Sequence, residues 1–145
     1  MSDDLQWLLL RKYNSAIVKR LPEGPVFSKE PGNLLNIHSH KYSGYANSKS
    51  IDVSDVNGKI TITTRKTKAS PNAVASAHST SSIRSRSGSR RALGVSAGSA
   101  KRGYRPDLRK AVLARTAALL SAQKEPKALP AKKPRGKKAA TAASA

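Results

Sequence analysis

Ile51-Asp-Val-Ser-Asp-Val-Asn-Gly-Lys-Ile-Thr-Ile-Thr-Thr-Arg65 reads as two strands joined by a turn. Asn57-Gly58 is a pair that two-residue hairpins prefer, because both central positions need positive φ. Ile51, Val53 and Val56 lead into the turn. Beyond it, Lys59–Arg65 alternates, with Ile60 and Ile62 toward a core and Thr61 and Thr63 away from it. The hairpin sets the fold class as α+β: a small, partly open, mostly antiparallel sheet with an N-terminal helix. Basic helices and an extended basic tail follow.

Upstream, Ser2 is placed to cap a short helix, with Asp3 and Asp4 at its start and Arg11 and Lys12 near its end. Leu5, Trp7, Leu8, Leu9 and Leu10 point around most of that helix, so burial is expected, with Trp7 as core anchor rather than base-stacking platform. Ser15–Leu21 and Val26–Ser28 read as strands, separated by a turn at Pro22, Gly24 and Pro25. Glu30-Pro-Gly-Asn33 is a further turn. His38-Ser-His-Lys-Tyr-Ser-Gly-Tyr45 supports two readings: a strand with Tyr42 and Tyr45 packed in the sheet, which is preferred, or aromatic faces beside a cation that stack bases and hold phosphate. A His-x-His metal site lacks an evident third ligand.

Downstream, composition shifts from Arg65 to Arg102 toward Ser, Ala, Gly and basic residues. A helix is expected within Pro71–Arg86, on a loose face of Val74, Ala77 and Ile83. Ser85-Arg-Ser-Gly-Ser-Arg-Arg91 and Gly94–Gly98 read as flexible, ordering only against a partner. Tyr104–Lys124 reads as a helix. Pro106 suits its first position, Asp107 complements its dipole, and Ala, Leu, Arg and Lys favour it. Leu108, Val112 and Leu119 make a stripe flanked by Ala111, Ala118 and Ala122, with Arg115 inside it and Leu113 and Leu120 off it. Such a helix is either a core element with snorkelling arginines or one packed on protein at one side and on polyanion at the other. The expected domains are therefore 1–66, a small α+β globular unit; 67–103, a basic linker with one helix; 104–124, a basic helix; and 125–145, a Lys/Ala/Pro tail disordered without RNA. Lys132–Lys138 also matches a nuclear import signal.

Charge narrows the function. The 145 residues carry a net charge of +20. Residues 1–64 hold 8 cations and 6 anions, whereas residues 65–145 hold 20 cations with only Asp107 and Glu125 against them. A polyanionic partner follows, with nucleic acid the commonest. Anionic membrane fits poorly, because the basic segments lack Trp, Phe and Leu to insert. The Leu5–Leu10 run is too short for a signal peptide or a membrane span, and acidic residues precede it. Cysteine is absent, which excludes disulfides and thiolate zinc sites and fits a reducing compartment. No nucleophile–base pair, phosphate-cradling glycine loop or metal cluster stands out, so neither an enzyme nor a cofactor is expected.

Several motifs occur in order: Leu5-Gln-Trp7, Phe27-Ser-Lys-Glu-Pro-Gly-Asn-Leu34, Tyr42-Ser-Gly44, Ser81-Ser-Ile-Arg84, Tyr104-Arg-Pro-Asp-Leu-Arg109 and Ser121-Ala-Gln-Lys124. Together they resemble family twenty-eight of the eukaryotic large-subunit ribosomal proteins over about residues 3–124. Residues 86–102 depart from that pattern, being longer and richer in Ser and Gly, and the tail also differs. The resemblance implies a non-catalytic protein of the cytosolic large subunit, passing through the nucleus and nucleolus for assembly. It implies large-subunit ribosomal RNA, its expansion segments and neighbouring ribosomal proteins as partners. No homo-oligomer is expected. A nucleolar assembly factor is the alternative, although the acidic extensions of such a family are missing here. A linker-histone-like chromatin protein is a third reading that leaves the hairpin unexplained.

The expected RNA contacts fall into groups along the chain. Lys41, Tyr42 and Tyr45 come from the aromatic segment, and Arg65, Lys66 and Lys68 from the end of the hairpin. Arg84, Arg86, Arg90 and Arg91 lie in the serine-rich stretch. Lys101, Arg102, Tyr104, Arg105, Arg109, Lys110 and Arg115 surround or belong to the long helix. Lys132, Lys133, Arg135, Lys137 and Lys138 come from the tail.

Overall fold

A computed structural model describes residues 2–70 and 72–129. Its centre is the hairpin of β3 (Ile51–Val56) and β4 (Lys59–Arg65), paired in full register from Ile51↔Thr64 to Val56↔Lys59. Asn57 and Gly58 adopt φ of 53° and 73°, as the tight turn requires. A third antiparallel strand, β5 (His78–Ser82), lies along β4. Toward the N-terminus, α1 (Asp3–Leu10) precedes a separate two-stranded sheet of β1 (Ile17–Lys19) and β2 (Val26–Ser28). Toward the C-terminus, α2 (Ser89–Ser96), α3 (Gly98–Lys101) and α4 (Arg109–Ala122) follow, with a 3-10 turn at Pro106–Leu108 leading into α4. The fold is α+β, as the hairpin predicts.

The core explains this order. Ile51, Val53, Ile60 and Ile62 share the inward face of the sheet, and Ile83 joins them just past β5. Leu34 packs there too, together with Ala92 of α2, Ala100 of α3, Leu108, and Ala111 and Val112 of α4. Burying a Val, Leu or Ile side chain stabilises by about 1.5–3 kcal/mol, so this cluster carries most of the fold. Helix α4 meets β3 and α2 through Leu108, Ala111, Val112 and Thr116, which recur at one helical face. The Thr116 hydroxyl donates to the Val112 carbonyl at 2.8 Å, so it is buried without an unpaired donor. Of the expected flanking alanines, Ala118 and Ala122 are exposed.

Several local expectations are corrected. Among the described residues 72–86 no helix forms; the segment instead holds β5. All five β5 side chains are exposed, so no apolar alternation marked the strand. Main-chain pairing defines it, bracketed by Lys66 N–H to Ala77 O and Ile83 N–H to Ile60 O, both 2.8 Å. The stretches 85–91 and 94–98, expected to be flexible, instead contribute to α2 and α3. Ala92, Ser96, Ala97 and Ala100 are buried there, small side chains that let α2 pack closely on α4 and α3 on the turn before it. Helix α1 is not buried: Leu8 and Leu9 remain 58% and 64% exposed. It is tethered instead at its ends, where Asp3 accepts from the Ser48 N–H and hydroxyl. Trp7 is not a core anchor either. It stacks on His40 at 5.6 Å and lies 5.0 Å from His38. Residues 38–45 form no strand beyond an Ile37 bridge to Phe27; they turn once as a 3-10 segment at His40–Tyr42.

Candidate nucleic-acid interface

The loop between β2 and β3 is built around one buried carboxylate. Glu30 is 4% exposed and accepts from the Ser28 hydroxyl (3.0 Å), the Ser43 hydroxyl (2.8 Å), the Asn33 amide (3.4 Å) and the Tyr45 N–H (3.3 Å). These donors come from both ends of the loop, so Glu30 draws the two ends together. Gly44 makes the crossing feasible: a Cβ there would lie 1.9 Å from the Pro31 carbonyl oxygen. The loop thereby fixes Lys41, Tyr42 and Tyr45. Tyr42 packs against the core, with the Lys41 ammonium 5.6 Å from its ring centre, while Tyr45 is half-exposed. Nothing periodic betrays this network in sequence; only the Glu-Pro-Gly-Asn turn signature hinted at it.

Tyr45 borders a cleft of about 410 Å³ between this loop, the outward face of the main sheet and residues 73–78. Asp52, Thr63, Arg65 and His78 line it as well. They are register neighbours, Asp52↔Thr63 and Arg65↔His78, which is why one sheet face presents them together. Burial raises the Asp52 carboxyl pKa, an effect opposed by the Val53 N–H and by the Arg115 guanidinium. Sequence reading gave Asp52 and His78 no role at this site. Their alternation in register with Arg65 was the available signal, hidden because β5 itself was not recognised.

The structure places the other predicted contacts as follows. Lys66 and Lys68 are exposed, and the Lys66 ammonium donates to the Ser76 carbonyl at 3.0 Å. Arg84, Arg86, Arg90 and Arg91 are exposed around the turn that enters α2, and Lys101 and Arg102 at the end of α3. Tyr104 is half-buried, and its hydroxyl donates to the Arg65 carbonyl. Burial raises its pKa, against the backbone hydrogen bonding and nearby arginines. Arg105 is committed to the fold. It binds the Lys49 carbonyl (2.8 Å), the Lys41 carbonyl (2.9 Å) and the Asp107 carboxylate (2.8 Å), and its hydrogen bond lowers the Asp107 pKa. Arg109 and Lys110 are exposed on α4. Arg115 is half-buried, donating from Nε to the Val53 carbonyl at 3.3 Å on the open edge of β3. Lys132, Lys133, Arg135, Lys137 and Lys138 lie outside the described residues, as does the import-signal match.

Among the described residues, no group of three or more His, Cys, Asp or Glu is placed to hold a metal ion, and no helix is long and apolar enough to cross a membrane. His38 and His40 instead flank Trp7, with the His38 Nε2 2.8 Å from the Arg11 carbonyl.

A helix-covered antiparallel sheet that leaves Arg84, Arg86, Arg90, Arg91, Arg109 and Lys110 exposed is a small basic α+β fold. Residues 5–122 match the Ribosomal L28e protein family, and the chain belongs to that family. It is 46% identical over 68 residues to the large ribosomal subunit protein eL28 of Dictyostelium discoideum, a match covering 47% of this chain and 50% of the relative. It is 37% identical over 71 residues to the eL28 of Caenorhabditis elegans, covering 49% and 56%. A longer match, 30% identical over 138 residues, covers 88% of the chain and 96% of the eL28 of Schizosaccharomyces pombe. The chain thus spans about half the length of the first two relatives and nearly all of the third. The resemblance read from Tyr104–Arg109 and the other motifs is upheld.

Proposed function

We propose that this chain is a structural constituent of the eukaryotic cytosolic large ribosomal subunit, binding and stabilising ribosomal RNA. The observation that carries the reading is the way the fold uses its charges. The carboxylates of Asp3, Glu30, Asp55 and Asp107 accept hydrogen bonds from protein donors. Arg84, Arg86, Arg90, Arg91, Arg109 and Lys110, by contrast, remain exposed. Those four anions are tied up internally and those six cations face outward, an arrangement that suits phosphate. Family membership supports the same role. The contacts proposed are these exposed cations with Lys41, Tyr45, Arg65, Lys66, Lys68, Lys101 and Arg102, joined by the basic tail. Arg105 and Arg115 act chiefly by holding the helix end and the sheet edge that display them. Expansion segments and neighbouring ribosomal proteins are the further partners of this reading, with assembly in the nucleolus before export to the cytoplasm.

Sedimentation of a tagged chain through a gradient tests the role. Co-migration with large subunits and translating polysomes is expected; residence only in pre-ribosomes or chromatin refutes it. In binding assays with large-subunit RNA, about ten phosphate contacts give a slope of log K against log salt of roughly −7 to −9. Deleting residues 127–145 flattens that slope.

A further inference from the structure

The cleft beside Tyr45 is lined by two opposite charges that form no ion pair with each other. Asp52 and Arg65 both line it, yet the ion pairs among the described residues are His40–Asp4 and Arg105–Asp107. A carboxylate and a guanidinium open on one cleft without neutralising each other. They are complementary to a ligand that donates hydrogen bonds at one end and carries negative charge at the other.

The carboxylate is the informative member. Despite the chain's net charge of +20, Asp52 marks a place where phosphate is repelled. An ionised carboxylate only accepts hydrogen bonds, so the group opposite it must donate. The walls narrow the choice further. Tyr45 is 42% exposed and Val74 is 82% exposed, so an aromatic and an apolar residue are both accessible among those that line the cleft. Arg65 supplies a cation, and His78 lies beside it across the strands. Tight backbone packing at Gly32 and Gly44 forms one wall of the cleft, with no side chain projecting from either residue to fill it.

We propose that this cleft binds a single unstacked nucleotide of looped or single-stranded RNA, with guanine the preferred base. Its N1–H and its N2 amino group donate to the two oxygens of Asp52, its ring stacks on Tyr45, and its phosphate rests on Arg65. Guanine alone among the four bases carries two adjacent donors on its pairing edge. Adenine and cytosine set one amino group beside an acceptor that a carboxylate repels, and uracil sets one N–H between two carbonyls. Unpaired RNA bases read in this way by stacking and edge hydrogen bonds are the usual targets of sequence-selective proteins. The inference rests on the RNA-binding reading above and adds the identity of one contacted base.

The test uses the full chain and short labelled oligouridines carrying one central guanine, adenine or inosine, with affinities read by fluorescence anisotropy. Guanine should bind roughly tenfold more tightly than adenine, within the discrimination that a bidentate base contact gives. Inosine, which keeps N1–H and lacks the amino group, should fall between them. Asp52→Asn should collapse the guanine-to-adenine ratio toward one. Tyr45→Ala, which alters an exposed side chain and leaves the sheet alone, should shrink the ratio as well. Arg109→Ala, outside the cleft, should weaken all oligomers alike and keep the ratio. A ratio near one in the parent chain, or one unmoved by Asp52→Asn and Tyr45→Ala, overturns the inference while continued RNA binding leaves the ribosomal reading in place. Failure to bind any oligomer or large-subunit RNA at low salt overturns both.

Discussion

Replacing Glu30 with alanine tests whether one buried carboxylate closes the loop that carries the aromatic residues. Glu30 receives four donors, but they are unequal. The Ser43 and Ser28 hydroxyls, at 2.8 and 3.0 Å, are short; the Tyr45 N–H and Asn33 amide, at 3.3 and 3.4 Å, are long. Hydrogen bonds to a charged group contribute about 1.5–3 kcal/mol each, and abandoned buried donors add their own desolvation cost. Asn33 still has the Ile37 carbonyl at 2.9 Å, so its loss is small. The two short bonds therefore dominate, and Glu30→Ala should cost about 3 kcal/mol, a large share of a stability of roughly 5–15 kcal/mol. Urea denaturation followed by far-UV circular dichroism measures it. With a urea dependence of about 1–2 kcal/mol per molar for a chain of this size, the midpoint should fall by around 2 M. Glu30→Gln keeps one acceptor oxygen and the shape, so it should lose about half as much. Glutamine equal to the parent would mean that desolvation of the carboxylate cancels its bonds. Alanine within about 0.5 M of the parent would refute the closure argument itself.

Gly44→Ala should be severely destabilising in a thermal melt, because its Cβ would meet the Pro31 carbonyl oxygen at 1.9 Å; Gly94→Ala, in the middle of α2 with nothing within 4 Å, should stabilise by about 0.5–1 kcal/mol. Arg105→Ala should lower stability by about 2 kcal/mol through its lost carbonyl and carboxylate partners, whereas exposed Arg109→Ala should leave the melt unchanged and weaken RNA binding. Asp52 has a folded pKa raised by burial above its ordinary value of 3.8, so its ionisation opposes folding at neutral pH, and the penalty vanishes once both states are protonated. Asp52→Asn should therefore raise the urea midpoint at neutral pH and match the parent near about pH 3; equal midpoints at neutral pH would refute the sign.

The hairpin was legible because two independent signals agreed there. Asn57-Gly58 fixed the turn and Ile60–Ile62 fixed the face, so register and burial followed together. The α4 face was legible through Leu108 and Val112, but Thr116 was invisible as a core residue: its burial depends on a back-bond to the Val112 carbonyl that composition does not announce. Strand β5 was missed because polar side chains on both faces erase the alternation, leaving main-chain pairing to define it. Helix α2 was mistaken for flexible sequence because its buried contacts are Ala92 and Ser96, too small to make a conspicuous apolar stripe. At the proposed interface, the cations are visible in the sequence as a class. Their division is not: Arg105 and Arg109 are close neighbours in sequence, yet one binds two carbonyls of the β2–β3 loop and the other faces solvent. Only the tertiary position of the Lys41 and Lys49 carbonyls separates them.

That division bears on how so basic a chain folds at all. Residues 65–145 hold 20 cations and 2 anions, and bringing such a segment together costs electrostatic energy. The fold offsets the cost by distance and by borrowing. Ala92, Ala100, Leu108, Ala111 and Val112 do the packing, so Arg90, Arg91 and Arg109 stay at the surface, where water and salt screen them. The less charged first half contributes the carbonyls of Lys41, Lys49 and Val53, which receive Arg105 and Arg115, and Asp55, which receives Gln123. The basic helices are thus fastened to the sheet through neutral main-chain oxygens more than through ion pairs, and their remaining cations stay unneutralised. A polyanion bound across those cations removes the repulsion that opposes folding, in addition to the mass-action gain that any ligand of the native state confers. On the RNA-binding proposal, stability and RNA affinity are therefore coupled through charge while being carried by different side chains.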